Sequence, residues 1–148
     1  MLRGVVIAGS AVGTIVGCSI LVKDFTVTKY SGDETLEGKT VVITGANCGL
    51  GKEAATQFAK RKADVIMTCR DLEKCLKSRV EVVLKSGNKN VMCSQLDLAS
   101  LQSINDFVTR LKKKKKEVNI LVNNAGVMRC PRTVTSDGFE MQLGVIFF

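Results

Sequence analysis

A β-branched run, Thr40-Val41-Val42-Ile43-Thr44, leads without a break into Gly45-Ala46-Asn47-Cys48-Gly49-Leu50-Gly51, and helical apolar spacing follows over Lys52–Arg61. Glycines at 45, 49 and 51 permit a tight turn, close approach of backbone to a ligand, and near contact between helix and strand. The helix that follows offers free N–H groups and the positive end of its dipole, the setting in which a pyrophosphate binds. Three glycines alone would be a weak signal. A strand before, a helix after and a second strand ending about 20 residues on make the segment a dinucleotide-binding loop. Gly45, Asn47, Cys48, Gly49, Leu50 and Gly51 are the candidate loop residues for that ligand.

The pattern then alternates. Asp64–Thr68 reads as a strand, Asp71–Lys85 as a helix closed by Ser86-Gly87-Asn88, and Val91–Leu96 as a third strand. Ser100–Lys113 reads as a helix with Leu101, Ile104, Phe107, Val108 and Leu111 on one side, and Asn119–Val122 as a fourth strand. Short strands separated by helices of this length require βαβ crossovers, hence a parallel sheet covered by helices. The expected fold is an open, doubly wound α/β sheet, or a large part of one.

At the end of the second strand, a carboxylate would hold an adenosine ribose 2′-hydroxyl and favour NAD. The residues there are Cys69-Arg70-Asp71. A neutral thiol followed by a guanidinium suits a 2′-phosphate, which arginine grips through two parallel hydrogen bonds, so NADP(H) is the expected cofactor. The bland reading of Arg70 is a surface charge beside the next helix. Asp71 fits the N-terminal residue of that helix better than a ribose ligand.

Ahead of the sheet, Gly4–Val22 is a stretch of 19 residues without a charge, bracketed by Arg3 and Lys23. As a helix it would span roughly 28 Å, enough to cross a bilayer once. It reads as a single-pass transmembrane anchor over residues 1–23, the alternative being a cleaved targeting segment. Gly9, Gly13 and Gly17 recur every four residues, a spacing that lets two such helices approach and permits a homo- or heterodimer. Residues 24–38 are polar and read as a juxtamembrane linker.

Composition narrows the chemistry. With 45% hydrophobic and 24% charged residues the chain is not generally disordered. It contains no His and no Trp, which excludes imidazole catalysis and Cys/His zinc sites, and no metal is expected. None of the six cysteines forms a Cys-x-x-Cys pair, so they read as reduced packing residues. The net charge of +8 owes much to Lys112–Lys116, either a solvated helix end or a contact for phosphate or anionic lipid. With one Tyr and six Phe there is no aromatic platform among these charges, and no nucleic-acid partner is expected.

Thr44-Gly45-x-x-x-Gly49-x-Gly51, Asp97-Leu98 after the third strand and Asn123-Asn124-Ala125-Gly126 after the fourth resemble the short-chain dehydrogenase/reductase superfamily. The strings TGANCGLGKEAA, CRDLEKC, LDLASLQSI, LVNNAGVMRCP and TSDGFEMQLGV are similar to its membrane-anchored retinol dehydrogenase branch over about residues 36–145. The resemblance implies that Asp97 contacts the adenine edge with Leu98 flanking it. It implies too that Asn123, Ala125 and Gly126 let the nicotinamide ribose lie close to the sheet. Asn123 and Asn124 could equally tie neighbouring strands together, and Met128 could line the substrate mouth or pack in the core. The implied substrate is a retinoid or another lipophilic carbonyl or alcohol, and the implied location is the endoplasmic reticulum or mitochondrial inner membrane, with lipid as a partner.

The same resemblance implies a catalytic Asn, Ser, Tyr and Lys, with the Tyr as acid/base, all following the fourth strand. The chain's one tyrosine, Tyr30, precedes the sheet and is followed four residues later by Glu34. Where the family's helix Asn should follow Val145 stands Ile146, then Phe147-Phe148. The expectation is the N-terminal half of a doubly wound Rossmann fold, with residues 39–148 as a truncated NADP-binding domain and no catalytic residue of its own. Its fourth strand and a helix starting at Ser136 or Asp137 should leave apolar surface bare. Such a chain would be an oxidoreductase by family, or alternatively an inactive, membrane-anchored NADP-binding or interfering isoform.

Overall fold

The computed structural model describes residues 34–115 and 117–147. Strand β1 (Thr40–Thr44) is followed by α1 (Gly49–Lys60), β2 (Asp64–Cys69), α2 (Leu72–Ser86) and β3 (Val91–Gln95), then by α3 (Leu101–Lys114), β4 (Ile120–Val122) and α4 (Met141–Phe147). The four strands form one parallel sheet in the order β3-β2-β1-β4. The chain winds outward from β1 to β3 and then crosses back to place β4 on the other side of β1. That reversal makes the carboxyl ends of β1 and β4 a topological switch point, where α/β sheets bind ligands.

Alternation along each strand divides the core. Val41, Ile43, Val65, Met67 and Val91 face α1 and α2 and pack with Ala55, Ala59, Cys75 and Val82. Val42 and Ile66 face the other way and meet Phe107, with Ile104, Val108 and Leu111 of α3 packed around them. Burial on both faces is why these strands read as unbroken apolar runs. β4 pairs with β1 alone among the described strands, and Leu121, on the same side of the sheet as Val42, remains 58% exposed.

Local signals set the element ends. Asp71 caps α2 by accepting from Lys74 N at 3.1 Å, and Gly87, left-handed at φ 71°, closes it. Ser100 caps α3 through Ser103 N at 3.2 Å. Helix α1 begins three residues before its expected start. The last helix needs a larger correction: α4 begins at Met141, and neither Ser136 nor Asp137 opens it. Ser136 Oγ instead donates to Ala99 O, and Asp137 accepts from Leu101 N at the start of α3. Gly138 turns the chain at φ 86°, and Glu140 then caps α4 by accepting from the N–H groups of Gln142 and Leu143. The expected membrane anchor, residues 1–23, lies outside the described residues, as does most of the linker. No described helix is long and apolar enough to cross a membrane.

Ile43 is fully buried between β2, β4 and the two helices, so Ile43→Ala should lower the unfolding free energy by about 2–5 kcal/mol in urea titration. Leu121→Ala, at an exposed site, should change it by no more than about 0.5 kcal/mol. A second expectation concerns acid. The Lys74 N–H, and then the Lys74 charge, hold the Asp71 carboxyl below the usual range. Glu140 is lowered chiefly by the Leu143 N–H and Glu81 by its bond to Lys52. A carboxylate with a depressed folded value stabilises above its unfolded value, and that contribution is lost as pH falls through the folded one. Urea midpoints should therefore hold from about pH 7 to 5 and drop below about pH 4. Asp71→Asn, which keeps a capping oxygen without charge, should make that drop shallower.

Candidate cofactor site

A crevice of about 200 Å³ opens at the carboxyl ends of β1, β2 and β4. One hydroxyl organises it. Thr44, the last residue of β1, donates its Oγ1 hydrogen to Val122 O at 3.4 Å and accepts from Asn124 N at 3.0 Å and Ala125 N at 2.9 Å. Asn124 Nδ2 returns the contact, donating to Thr44 O at 2.9 Å and to Gly45 O at 3.3 Å. The glycine loop and the segment after β4 are thereby held as one unit. Asn124 is thus the tie between strands, while Asn123 beside it is exposed and outside the crevice lining.

Glycine is needed here by close approach. A Cβ on Gly51 would overlap Asn124 Nδ2 and lie 2.7 Å from Gly45 O, and one on left-handed Gly45 would lie 2.9 Å from Ala125 Cα. Cys48 stands extended at the N-cap of α1 without a side-chain cap bond. The other three described helices are capped by Asp71, Ser100 and Glu140. The first turn of α1 therefore keeps its N–H groups free of side-chain acceptors, as an anion site requires. From below, Ser78 of α2 donates to Asn47 O at 2.5 Å and fixes the middle of the loop.

Gly45, Asn47, Arg70, Asp97, Leu98, Ala125 and Gly126 all line the crevice. Gly49 and Leu50 lie on the exposed first turn of α1, Leu50 with 84% of its surface open, and Gly51 is buried behind it. Arg70 is exposed, and its side chain has no carboxylate partner among the described residues. Its backbone is steadied by Gln95 Nε2, which donates to Arg70 O at 3.3 Å, while Arg110 donates to Gln95 O at 2.7 Å. Asp71 is engaged with Lys74 as a cap and ion pair at 3.5 Å, leaving Arg70 as the free charge at that corner. Asp97 Oδ1 accepts from Ala99 N at 2.9 Å, which fixes the carboxyl at the rim. Met128, 80% exposed, is not a core residue.

The structure adds Thr44, Thr68, Cys69, Leu96, Val127 and Val145 to the lining. Thr44 and Cys69 end β1 and β2 and Thr68 precedes Cys69, so the strand register alone points to all three. Val145 comes from α4, far along the chain, and no local signal marks it. Cys69 belongs to a thiol trio with buried Cys75 and half-buried Cys93. Hydrogen bonding to Cys69, then to Cys93, and burial push the Cys75 thiol far up, and it also donates to Met67 O. The same bonds lower Cys69 and Cys93. These thiols are free, as are Cys48 and Cys130.

The family pattern described as short chain dehydrogenase matches residues 39–142. Human retinol dehydrogenase 13 is 46% identical over 137 residues, covering 92% of this chain and 41% of that protein. A solved structure from Mycobacterium paratuberculosis superposes with a TM-score of 0.66 at 38% identity, over 80% of this chain and 41% of the other. A metagenomic short-chain oxidoreductase in complex with NADP gives a TM-score of 0.58 at 34% identity, over 62% of this chain and 41% of that one. This chain spans well under half the length of the curated relative, with the shared part holding the glycine loop, the switch point and the Asn124 tie. It belongs to the short-chain dehydrogenase family and sits on the retinol dehydrogenase branch.

Proposed function

We propose that this chain binds NADP(H) at the switch-point crevice and is the cofactor-binding part of a retinol dehydrogenase-like oxidoreductase. The observation that carries this is the pairing of a helix N-terminus without a side-chain cap and, across the crevice, an arginine without a carboxylate partner. The first suits a pyrophosphate, and the second suits the 2′-phosphate that separates NADP from NAD. The residues fit the cofactor in shape as well: Gly45 and Gly51 keep side chains out of the loop, and Asn124 holds loop and β4 segment at a fixed separation. The NADP complex of the metagenomic relative supports the choice.

When bound, NADP(H) supplies a hydride carrier. This chain's part is to hold it. Loop and α1 N–H groups orient the pyrophosphate, Arg70 the 2′-phosphate, and Asp97 and Leu98 the adenine edge. Ala125 and Gly126 present a flat backbone to the nicotinamide ribose. The substrate, by kinship with retinol dehydrogenase 13, is a retinoid or similar lipophilic carbonyl or alcohol. The uncharged Gly4–Val22 attaches the chain to the membrane, of endoplasmic reticulum or mitochondrion, where such substrates dissolve.

A second reading shares the same site. The chain has no His, and no Tyr occurs among the described residues, so among these no phenol or imidazole borders the crevice to move a proton. This favours a cofactor-holding chain that does not turn over substrate by itself.

The test uses the full chain in detergent or nanodiscs, with binding followed by NADPH fluorescence. NADPH should bind at least tenfold more tightly than NADH, and Arg70→Glu should erase the preference. Gly51→Ala should weaken both nucleotides, since its added methyl strikes Asn124 and the Gly45 carbonyl. Equal affinity for NADPH and NADH in the unaltered chain would refute the NADP reading. With all-trans-retinal added, bound NADPH should persist without steady retinol formation. Sustained turnover would replace the second reading with a complete enzyme.

A further inference from the structure

In a parallel sheet every strand begins at one end, and every crossover helix finishes there. That amino end is defined by side-chain contacts as well as topology: Asn119 Oδ1 accepts from Thr40 N, Asn88 Nδ2 donates to Ala63 O, and Lys115 pairs with Asp64. The segments meeting there, around residues 34–39, 60–64, 85–90 and 112–117, carry ten described Lys or Arg residues against Glu34, Glu37, Asp64 and Glu117. All the other described residues together carry eight basic and eight acidic groups. The excess positive charge of this domain is therefore confined to one end of its sheet.

Helix dipoles account for part of it, since one or two cations suit each helix C-terminus. They do not account for the rest. Lys112, Lys113 and Lys114 are all exposed in the last turn of α3, and Lys39 and Lys89 lie outside any helix. Of the ten, Lys62 is engaged with Glu37 at 3.8 Å, Lys115 with Asp64, and Arg61 is engaged as well. Two shallow clefts on this end share Lys89 and Asn90, one continuing to Lys60 and Lys62 and the other to Lys115. Concave, lysine-rimmed surface drawn from four separate segments is not a single solvated run.

We infer that the amino end of the sheet is a docking face for an anionic lipid bilayer. This rests on the membrane attachment proposed for Gly4–Val22 and extends it to an orientation. The chain enters β1 through Gly38 and Lys39, at this same end, and the uncharged stretch lies upstream of that point. Each lysine near an anionic leaflet adds attraction, an effect confined to about one Debye length, roughly 8 Å. The cofactor crevice opens at the opposite end, a strand length away, about 17 Å for five residues. An anionic dinucleotide would then enter from water, beyond the repulsive field of the lipid that holds the protein.

The test reconstitutes the full chain into vesicles of phosphatidylcholine alone or with about 30% phosphatidylserine, an anionic surface of the relevant kind. Lysine acylation by a water-soluble reagent is read residue by residue by mass spectrometry. Lys60, Lys89, Lys112, Lys113 and Lys114 should react at least fivefold more slowly on the phosphatidylserine vesicles, and high salt should restore them. Lys74, at the carboxyl end, should react equally on both. Lys112→Gln, Lys113→Gln and Lys114→Gln together, all at exposed sites, should abolish the protection of Lys60 and Lys89. Equal lysine reactivity on the two vesicles, with the chain floating with both, overturns the docking face and leaves attachment standing. A chain that floats with neither overturns the attachment and the docking face with it. Protection by RNA on neutral vesicles, with none from phosphatidylserine, overturns it in favour of a nucleic-acid surface.

Discussion

The Thr44 hydroxyl and the Asn124 amide depend on each other, and the site depends on both. At the switch point two parallel strands diverge into different loops, and strand pairing alone gives out there. Thr44 Oγ1 uses one donor and two acceptor positions to bind β4's end, and Asn124 answers by taking two carbonyls of the glycine loop. None of these groups is left wanting, and among the described residues no buried side-chain N or O lacks a partner. A buried polar network of this kind rigidifies when complete and is costly when broken. Gly45 and Gly51 follow from it, because the amide and the Ala125 backbone occupy the space where their side chains would be.

The sheet's two faces contribute unequally to that frame. On the α1 and α2 side, alanines and a buried glycine let the helices settle against valines and Ile43, and α1 and α2 are joined further by Lys52 and Glu81 at 2.8 Å. The α3 side rests on fewer groups, Val42, Ile66, Leu96 and Phe107, and stops short of Leu121. The crevice lies at the boundary of these regimes: its β1 and β2 rims are set in the denser core, while its Ala125–Val127 rim is carried on a three-residue edge strand. Ligand bound across both rims would connect the firm part of the domain to the less covered part.

The sequence made legible whatever is encoded locally. The glycine loop, the Asp71 cap, the Gly87 stop and the apolar stripe of α3 each lie within a few residues of what they determine, so composition and spacing suffice. The contacts that position the site do not share that property. Ser78 reaches Asn47 across 31 positions, and Thr44 reaches Asn124 across 80. Nothing near Ser78 marks it out from any other helical serine. In sequence Asn124 fits two roles, because an amide serves either equally well until its partners are known. The misplaced start of α4 has the same origin: Ser136 and Asp137 have the chemistry of caps, and Asp137 does cap a helix, but it is α3. A capping residue advertises a helix N-terminus without saying whose.

Capping also explains how adjacent residues acquire opposite duties. Every helix start exposes N–H groups that attract an anion. Carboxylates at Asp71 and Glu140 and a hydroxyl at Ser100 satisfy three of the four described helix starts, and each such group is thereby removed from ligand chemistry. At α1 the cap position holds Cys48, whose thiol makes no such bond. Asp71 follows Arg70 directly, yet its charge is spent on α2 and Lys74. That leaves the guanidinium unopposed by its nearest carboxylate, at a rim where α1 contributes positive potential too. Both unmet charges have the same sign and border the same crevice, so a ligand that satisfies them must carry anionic groups at two separated points. A dinucleotide with a pyrophosphate and a ribose phosphate has that distribution, whereas one with a bare 2′-hydroxyl meets only the first.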